Sequence, residues 1–335
     1  MKIIFRTDAN QKTGAGHAMR CLTIARTAIE RGNEVIFAGD FAEFSWVRSS
    51  ILDFGIKIEY RRFEHEYVNL FLTLNPSWVV IDSYEIPKKW YEEIANNFQT
   101  LCIVDSPINL DASVTYLDQN SDVWPLEYES DTSRYLLGIK YLIVRDTFID
   151  CRHPFSASYV TRRRPKLLLV TGGSDLIGAS IQFSKLLARS QIKAEITVIT
   201  REEFHDPIRQ LNSDEIEFKP VKPSKEISKY FARADLALSL GGTMAWELAA
   251  SGVPSMVGFA VTNQKQVCAN VEKLGIGVSL GEIWDSNFLK ESNIRAVETF
   301  IDDFDSANEM KKQCIDLIDG DGKARVISFL ENNHQ

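Results

Sequence analysis

The chain has 335 residues, of which 44% are hydrophobic and 25% are charged, and its formal net charge at pH 7 is -8. A chain of this length and composition can bury a large core and divide into two domains, which excludes a disordered protein. The acidic balance argues against nucleic acid as a partner, because nucleic-acid-binding surfaces neutralise phosphates with clustered Lys and Arg. A few local groups are still sufficient to bind a small anionic ligand.

The cysteine pattern bears on the compartment. The five cysteines are scattered and odd in number, and no two form a CxxC pair. This argues against a disulfide framework and against a structural zinc site, and it fits a reducing environment. The N-terminal segment lacks the long apolar core of a secretory signal, and no apolar run has the length needed to cross a bilayer. We therefore expect a cytoplasmic protein with no integral membrane segment.

In the first half of the chain, short β-rich apolar runs alternate with stretches of helical periodicity, which is typical of a parallel sheet covered by helices. The predicted strands are Ile3–Phe5, Glu34–Ala38, Lys57–Tyr60, Trp78–Ile81 and Leu101–Val104. A first helix is expected from Ala18 to Arg31, because its apolar residues recur at helical spacing and a glycine-containing turn follows.

The second half repeats this style after a polar stretch from Cys151 to Arg164, where we place the linker. Its predicted strands are Lys166–Val170, Glu195–Ile199, Glu217–Lys219, Leu236–Leu238 and Ser255–Gly258. We therefore predict an α/β protein with two domains, residues 1–155 and residues 156–335. The segment after Gly322 has helical periodicity and is expected to pack back on the first domain. Ligands of such sheets bind at the carboxyl ends of the strands, where loops lead into helices.

A glycine-containing turn follows the first predicted strand. Gly14 and Gly16 let the backbone approach a ligand closely, and the helix N-terminus behind them favours an anion. His17 stands at the mouth of that helix, where an imidazole is suited to general-base catalysis because it titrates near neutral pH. Arg20, in the same helix, is a further candidate for binding the substrate. A plain turn with a helix cap explains the same residues equally well, because the spacing matches neither a Walker loop nor a dinucleotide fingerprint.

A second small-residue turn follows the strand that begins the second domain. Gly172, Gly173 and Ser174 can hold a diphosphate through backbone N–H groups and a hydroxyl. An ordinary strand-to-helix turn with Asp175 as the cap is an equally good interpretation.

A longer series in the second domain is more specific. It consists of Gly241, Gly242, Thr243 and Glu247, followed by Asn263 and Gln264. The two glycines allow close approach of a phosphate, the threonine adds a hydroxyl donor, and the glutamate lies one turn inside the helix on the same side. A carboxylate at that position can accept both hydroxyls of a ribose. Structural roles account for each residue singly, but less well for the whole series in order.

Two other residues are candidates from position alone. Tyr84 lies just past a predicted strand end, where it and Asp82 can reach a ligand, although an isolated Tyr more often serves packing. Arg145 follows the strand-like run Tyr141–Val144 and can contact phosphate, with a surface or linker salt bridge as the alternative. The remaining histidines show no metal-ligand spacing, so we assign no metal site.

Taken together, these motifs resemble one known family. RTDAN and GAGHAMRCLTIA stand at the start, VVIDSY and IVDSP follow, YLLGIKYLIVRDTF ends the first half, and TGGSD, SLGGTMAWELAASGVP and TNQ come later. In this order, and over nearly the whole chain, they are similar to the nucleotide-sugar hydrolases of pseudaminic acid biosynthesis. Those enzymes remove UDP from UDP-2,4-diacetamido-2,4,6-trideoxy-β-L-altropyranose.

The resemblance implies a glycosyltransferase-B-like fold of two Rossmann-like domains facing across a cleft, with a nucleotide-sugar as the small-molecule partner and no metal or other cofactor. It implies that the C-terminal domain holds UDP, while His17 of the N-terminal domain activates a water that attacks the anomeric carbon with inversion. Tyr84 is expected to orient the water or the sugar. Asp8 is expected to orient His17 or to bind a sugar hydroxyl or acetamido group.

Two alternatives remain at this stage. A glycosyltransferase of the same fold needs only a sugar hydroxyl in place of water, and it would act in capsule, flagellar or spore-coat glycan assembly. A noncatalytic nucleotide-sugar-binding protein is the other, and the intact His17 argues against it. The second half of the chain also departs from the usual form of the family at two places. Thr243–Trp246 stands where a serine-rich turn is common, and Ala260–Gln264 lacks the aspartate of the family's Ala-Asp-Asn-Gln series. The oligomeric state is not predicted.

Overall fold

The computed structural model describes residues 1–11, 14–83, 85–105, 108, 110, 113–121, 134–172, 175, 177–224 and 226–334. The chain forms two compact units. The N-terminal unit comprises Met1–Val144 and Asp321–Gln335, and the C-terminal unit comprises Arg145–Gly320. The sequence places the first boundary after residue 155, whereas the chain enters the C-terminal unit at Arg145. The reason is Phe148, which is fully buried in that unit, with its ring centroid 4.7 Å from that of Phe231.

Among the described residues of the N-terminal unit, seven parallel strands form one sheet in the order β3-β2-β1-β4-β5-β6-β7. The strands are β1 (Lys2–Thr7), β2 (Glu34–Ala38), β3 (Lys57–Glu59), β4 (Trp78–Asp82), β5 (Thr100–Ile103), β6 (Thr115–Asp118) and β7 (Arg134–Leu137). The helices between them are α1 (Gly16–Glu30), α2 (Ser45–Leu52), α3 (Glu64–Leu74) and α4 (Lys88–Asn97). All five residues of β4 are buried, as expected for a parallel strand covered on both faces.

In the described part of the C-terminal unit, six parallel strands form a sheet in the order β10-β9-β8-β11-β12-β13. The strands are β8 (Lys166–Val170), β9 (Ala194–Ile199), β10 (Ile216–Val221), β11 (Leu236–Leu240), β12 (Ser255–Phe259) and β13 (Gly277–Glu282). The helices are α5 (Asp146–Asp150), α6 (Ala157–Arg162), α7 (Ala179–Ala188), α8 (His205–Arg209), α9 (Ser228–Phe231), α10 (Thr243–Ala250), α11 (Thr262–Lys273), α12 (Glu291–Asp302) and α13 (Phe304–Leu317).

The last helix, α14 (Gly322–Asn332), belongs to the N-terminal unit. Its apolar side chains Val326, Ile327 and Leu330 are fully buried in the same core cluster as the strands of the first sheet. The indole N–H of Trp78 donates to the Leu330 carbonyl at 3.1 Å. At Gly322, a Cβ atom would lie 2.2 Å from the Leu142 carbonyl oxygen, so only glycine fits where this helix begins.

Both sheets reverse their strand order at one point, between β1 and β4 in the first and between β8 and β11 in the second. Ligands of open parallel sheets bind outside the carboxyl ends of the strands at this point, because the flanking loops diverge there. The predicted α/β fold with two Rossmann-like domains is confirmed. The prediction of a strand at Tyr141–Val144 is wrong, because a 3-10 turn at Ile139–Tyr141 is followed by backbone that belongs to neither sheet. No helix in the described ranges is long and apolar enough to cross a membrane.

Candidate functional site

The reversal point of the first sheet brings His17 and Asp82 together. Asp82 is the last residue of β4 and pairs in register with Thr7, the last residue of β1. The chain after β1 leads into α1, whose second residue is His17. Its Nδ1 atom lies 2.6 Å from Asp82 Oδ1, and its side chain is 11% exposed. The imidazole is thus held at the carboxyl edge of the sheet, where a ligand is expected.

Asp82 is itself fixed by a buried arginine. Arg20 donates from Nε to Oδ2 and from a terminal nitrogen to Oδ1 of Asp82, both at 2.8 Å. Its other terminal nitrogen lies 3.6 Å from Asp105 Oδ1, which also accepts from the Asn120 side chain at 2.9 Å. Burial alone would raise the pKa of the Asp82 carboxyl, but Arg20, and after it His17, hold that pKa well below its ordinary value. Asp82 is therefore a carboxylate at neutral pH.

This arrangement defines the tautomer of His17. An ionised carboxylate only accepts hydrogen bonds, so Nδ1 of His17 must carry the proton that it shares with Asp82. In the neutral imidazole the lone pair is then on Nε2, which is the basic atom. A carboxylate behind Nδ1 also stabilises the imidazolium that forms when Nε2 accepts a proton. The pair is therefore built for proton transfer at Nε2.

The other N-terminal candidates have separate positions. Asp8 accepts from Arg6 at 2.7 Å through Oδ2 and from the Asp40 backbone N–H at 2.8 Å through Oδ1. Asp8 therefore does not orient His17: Asp82 makes that contact, because the register of β1 and β4 brings its carboxylate beside the start of α1. The alternative, that Asp8 binds a sugar hydroxyl or acetamido group, stays a prediction. Arg20 donates to Asp82, and its expected contact with substrate stays a prediction.

The glycines of the first turn shape the entry to α1. Gly14 has φ of +74° and donates its N–H to the Asn10 carbonyl at 2.7 Å, closing the turn. Gly16 is exposed and begins the helix. Tyr84 lies outside the described residues.

In the C-terminal unit, Asp175 organises the loop after β8. Its carboxylate accepts from Thr171 Oγ1 at 2.8 Å, from Thr200 Oγ1 at 2.7 Å and from Ser180 Oγ. These bonds tie the β8 loop to the start of α7 and to the end of β9. Gly172 has φ of +122°, and a Cβ atom there would meet nothing within 4 Å. Gly173 and Ser174 lie outside the described residues.

The two glycines after β11 differ in their surroundings. At Gly241 a Cβ atom would lie 2.5 Å from Cys268 Sγ and 2.6 Å from the Gln264 carbonyl oxygen, so this glycine lets α11 pack against the loop. At Gly242 a Cβ atom would meet nothing within 4 Å. Gly242 is the N-cap of α10 and Thr243 its first residue, with no side chain capping the helix. The first backbone N–H groups of an α-helix have no partner within the helix, so the start of α10 suits an anion.

Glu247 lies one turn inside α10 and is buried, with 4% of its surface exposed. Arg145 reaches its Oε1 atom from Nε at 3.0 Å and from a terminal nitrogen at 2.8 Å. Burial raises the pKa of the Glu247 carboxyl above its ordinary value, and Arg145 opposes that shift. Two residues that the sequence assigns to separate parts of the ligand are therefore in direct contact.

The last two predicted residues lie at the start of α11. The side-chain oxygen of Gln264 accepts from the Ala260 backbone N–H at 2.9 Å and so stabilises the loop after β12. Asn263 is exposed beside it. Both stand at the carboxyl end of β12, the strand next to β11.

Asp105 has no role predicted from the sequence, and Asp82 is predicted only as a general ligand contact. The available signal was position, since Asp82 ends one buried strand of the first sheet and Asp105 comes two residues after another. Their joint contact with Arg20 depends on β4 and β5 being neighbours, as the strand pairing shows.

No protein-family profile matches the chain. In sequence, the chain is 24% identical over 274 residues to an uncharacterized protein of Methanocaldococcus jannaschii, an alignment that covers 77% of this chain and 55% of that protein. The chain thus spans about half the length of the curated relative that it matches.

Solved structures show the fold more clearly. MurG of Acinetobacter baumannii aligns with a TM-score of 0.69 and 12% identity, over 99% of this chain and 100% of that chain. MnaA of S. aureus, solved with UDP, aligns with a TM-score of 0.66 and 12% identity, over 99% and 96%. A glycosyltransferase from Rickettsia africae aligns with a TM-score of 0.60 and 11% identity, over 99% and 98%. The protein has the two-domain, Rossmann-like fold of the glycosyltransferase-B class.

Proposed function

We propose that the protein is a nucleotide-sugar enzyme that cleaves the anomeric C–O bond, with water as the nucleophile and His17 as the general base. The observation that carries this proposal is the contact of His17 Nδ1 with the carboxylate of Asp82, which Arg20 holds in place. The motif resemblance favours UDP-2,4-diacetamido-2,4,6-trideoxy-β-L-altropyranose as the substrate and free sugar and UDP as the products. The fold is consistent with this chemistry and with related reactions.

The proposed reaction is a single displacement. His17 Nε2 accepts a proton from water as the water oxygen bonds to the anomeric carbon on the face opposite UDP. The bond between that carbon and the leaving oxygen breaks, and the electron pair departs on the β-phosphate of UDP. The sugar is released with inverted configuration. Asp82 stabilises the imidazolium and keeps the ring oriented throughout.

The C-terminal unit is proposed to hold the nucleotide. UDP is a stabilised leaving group, so its site needs positive dipoles around the diphosphate more than a strong general acid. The start of α10 at Gly242 offers such a dipole at the reversal point of the second sheet, and Gly172 follows the neighbouring strand β8. Glu247 is proposed to accept the ribose hydroxyls, and Thr243 to add a hydroxyl donor.

A glycosyltransferase is the second candidate, and the structural likeness to MurG and to a Rickettsia africae glycosyltransferase favours it. In that reaction His17 would accept the proton of a sugar hydroxyl instead of water. The pair of His17 and Asp82 suits either nucleophile, so the choice between hydrolase and glycosyltransferase rests on which product forms. An epimerase is a third outcome to test, because a UDP-N-acetylglucosamine 2-epimerase from Listeria monocytogenes aligns with a TM-score of 0.64.

The deciding experiment incubates purified protein with the UDP-sugar in oxygen-18 water in the presence of EDTA, with mass spectrometry of both products. Labelled free sugar with unlabelled UDP supports the hydrolase, because the new oxygen enters at carbon. Consumption only when an acceptor glycan is added supports the transferase. Deuterium at C2 of recovered UDP-sugar after a parallel incubation in deuterium oxide supports an epimerase.

Two variants test the role of the base. His17→Ala should lower turnover to a small residual rate and leave UDP affinity nearly unchanged, because a base acts in the transition state. His65→Ala is the matched control, since this histidine is exposed and stacks on Phe63 in the same unit, and it should turn over normally. Normal turnover by His17→Ala would refute the proposed mechanism.

A further inference from the structure

Arg145 is held in one orientation by two neighbours. It is the first residue of the C-terminal unit and the N-cap of α5. Its guanidinium carbon lies 4.4 Å from the ring centroid of Phe148, and two of its nitrogens reach Glu247. A guanidinium that stacks on a ring and binds a carboxylate loses most of its freedom. Its position is therefore set before any ligand binds.

The contact with Glu247 is one-sided. Both nitrogens of Arg145 bind the same carboxylate oxygen, Oε1. Among the residues that the structure describes, none donates to Oε2. Glu247 is largely buried in a helix that begins at the open glycine, Gly242. One oxygen of the carboxylate is thus anchored, and the other remains to accept a ligand hydroxyl.

We infer that Arg145 is a positioning residue of the nucleotide site: it anchors Oε1 of Glu247 so that Oε2 accepts the 2′-hydroxyl of the ribose, and it thereby sets a preference for ribonucleotides over 2′-deoxyribonucleotides. This inference rests on the proposed role of Glu247 in nucleotide binding. A buried carboxylate without its cation is costly and adopts other rotamers, whereas an anchored one pays little entropy on binding.

The inference differs from the expectation that Arg145 contacts phosphate. A phosphate contact contributes equally to UDP and to 2′-deoxy-UDP, because both carry the same diphosphate. An arginine that orients a ribose-binding carboxylate contributes mainly to UDP, because only UDP has the 2′-hydroxyl. The ratio of the two dissociation constants therefore separates the two roles.

The test measures the binding of UDP and of 2′-deoxy-UDP to the full chain by isothermal titration calorimetry. Arg145→Met should weaken UDP binding roughly 10-fold to 100-fold, the range for hydrogen bonds to charged groups, and should weaken 2′-deoxy-UDP binding much less. Arg145→Lys, which keeps the cation, should recover part of the preference. Glu247→Gln combined with Arg145→Met should lose little beyond Glu247→Gln alone, because the two residues act as a unit.

Arg233→Met is the matched control, because Arg233 is an exposed arginine of the same unit; it should bind both nucleotides like the natural protein. If Arg145→Met fails to fold, Arg145→Lys decides, with a reduced preference expected. Equal losses for UDP and 2′-deoxy-UDP, or an unchanged preference, would overturn the inference and leave the nucleotide site in place. Failure of the natural protein to bind UDP would overturn the proposed nucleotide as well.

Discussion

Replacing Asp82 by asparagine tests whether this carboxylate acts through His17. The amide has the same shape but no charge, and its NH₂ group can donate to Nδ1. The proton of the imidazole then moves to Nε2, and that atom is no longer a base. We expect kcat to fall roughly 10²-fold to 10⁴-fold, the range for removal of general-base function or of the orienting carboxylate. UDP affinity should hold, because the proposed UDP ligands lie in the C-terminal unit.

The same change has a cost in stability that the structure bounds. In Asp82→Asn, Arg20, which is 6% exposed, would still have an amide oxygen as acceptor in place of the carboxylate. Its terminal nitrogen would also remain 3.6 Å from Asp105 Oδ1. Breaking a buried ion pair costs about 3–5 kcal/mol when the charge is left alone, so the retained partners place the expected loss at about 2–3 kcal/mol. For a domain of this size, that loss lowers the thermal midpoint by roughly 4–12 °C. Kinetics must be measured where circular dichroism shows the variant folded.

The decisive assay is a double-mutant cycle on turnover, with Asp82→Asn, His17→Ala and the pair combined. If the carboxylate acts through the imidazole, the double variant should be no slower than His17→Ala alone, because residues that act as a unit are not additive. If the fold-losses in turnover of the two single variants multiply in the double variant, the claim that Asp82 acts through His17 is refuted. Normal kcat in folded Asp82→Asn would refute it too.

The remaining predictions concern stability and nucleotide binding. Gly241→Ala should lower the thermal midpoint, because its Cβ atom would lie 2.5 Å from Cys268 Sγ and overpacking costs about 1–3 kcal/mol. Gly242→Ala should keep the midpoint, because its Cβ atom would meet nothing within 4 Å, but it should weaken UDP binding. Equal midpoints for the two variants would contradict this packing argument. A chain ending at Gly320 lacks the helix that completes the N-terminal core, so calorimetry should show a destabilised N-terminal transition, and an unchanged transition would count against that role. Because the pKa of Asp82 is lower in the folded protein, its ion pairs stabilise the fold above the unfolded pKa of about 3.9 and that stabilisation is lost as pH falls towards the folded pKa. Urea titrations should therefore show that the free energy of unfolding decreases more on acidification for the natural protein than for Asp82→Asn. Equal decreases for the two proteins would contradict this prediction.

Strands buried on both faces were the most predictable part of the fold. Glu34–Ala38 and Lys166–Val170 have the predicted bounds, because a short apolar run between polar turns is typical of a strand buried on both faces. The strands Thr115–Asp118, Arg134–Leu137 and Gly277–Glu282 were not predicted, and the last two of them lie at a sheet edge. An edge strand pairs on one side only, so its sequence carries a weaker apolar signal.

The candidate site divides in the same way between local and long-range information. His17 and the turn glycines could be proposed from local sequence, because they lie between the end of a strand and the first turn of a helix. The contact of His17 with Asp82 joins residues 65 positions apart, and it follows from the register of β1 against β4. Proximity in the chain favoured Asp8 as the partner, and the sheet order gives Asp82 that position. The sequence alone could not order the strands.

Among the described residues, the contacts that orient His17 and those that orient Glu247 each come from within one unit. In the N-terminal unit, Arg20 and Asp82 orient His17, and in the C-terminal unit Arg145 orients Glu247. Both sets combine a buried carboxylate with an arginine near the reversal point of a sheet. Since the described contacts of each set lie within one unit, we expect substitutions in one set to leave the proposed function of the other measurable. Loss of proton transfer and loss of nucleotide preference are then separable, which makes kcat the readout of the first unit and the UDP dissociation constant that of the second.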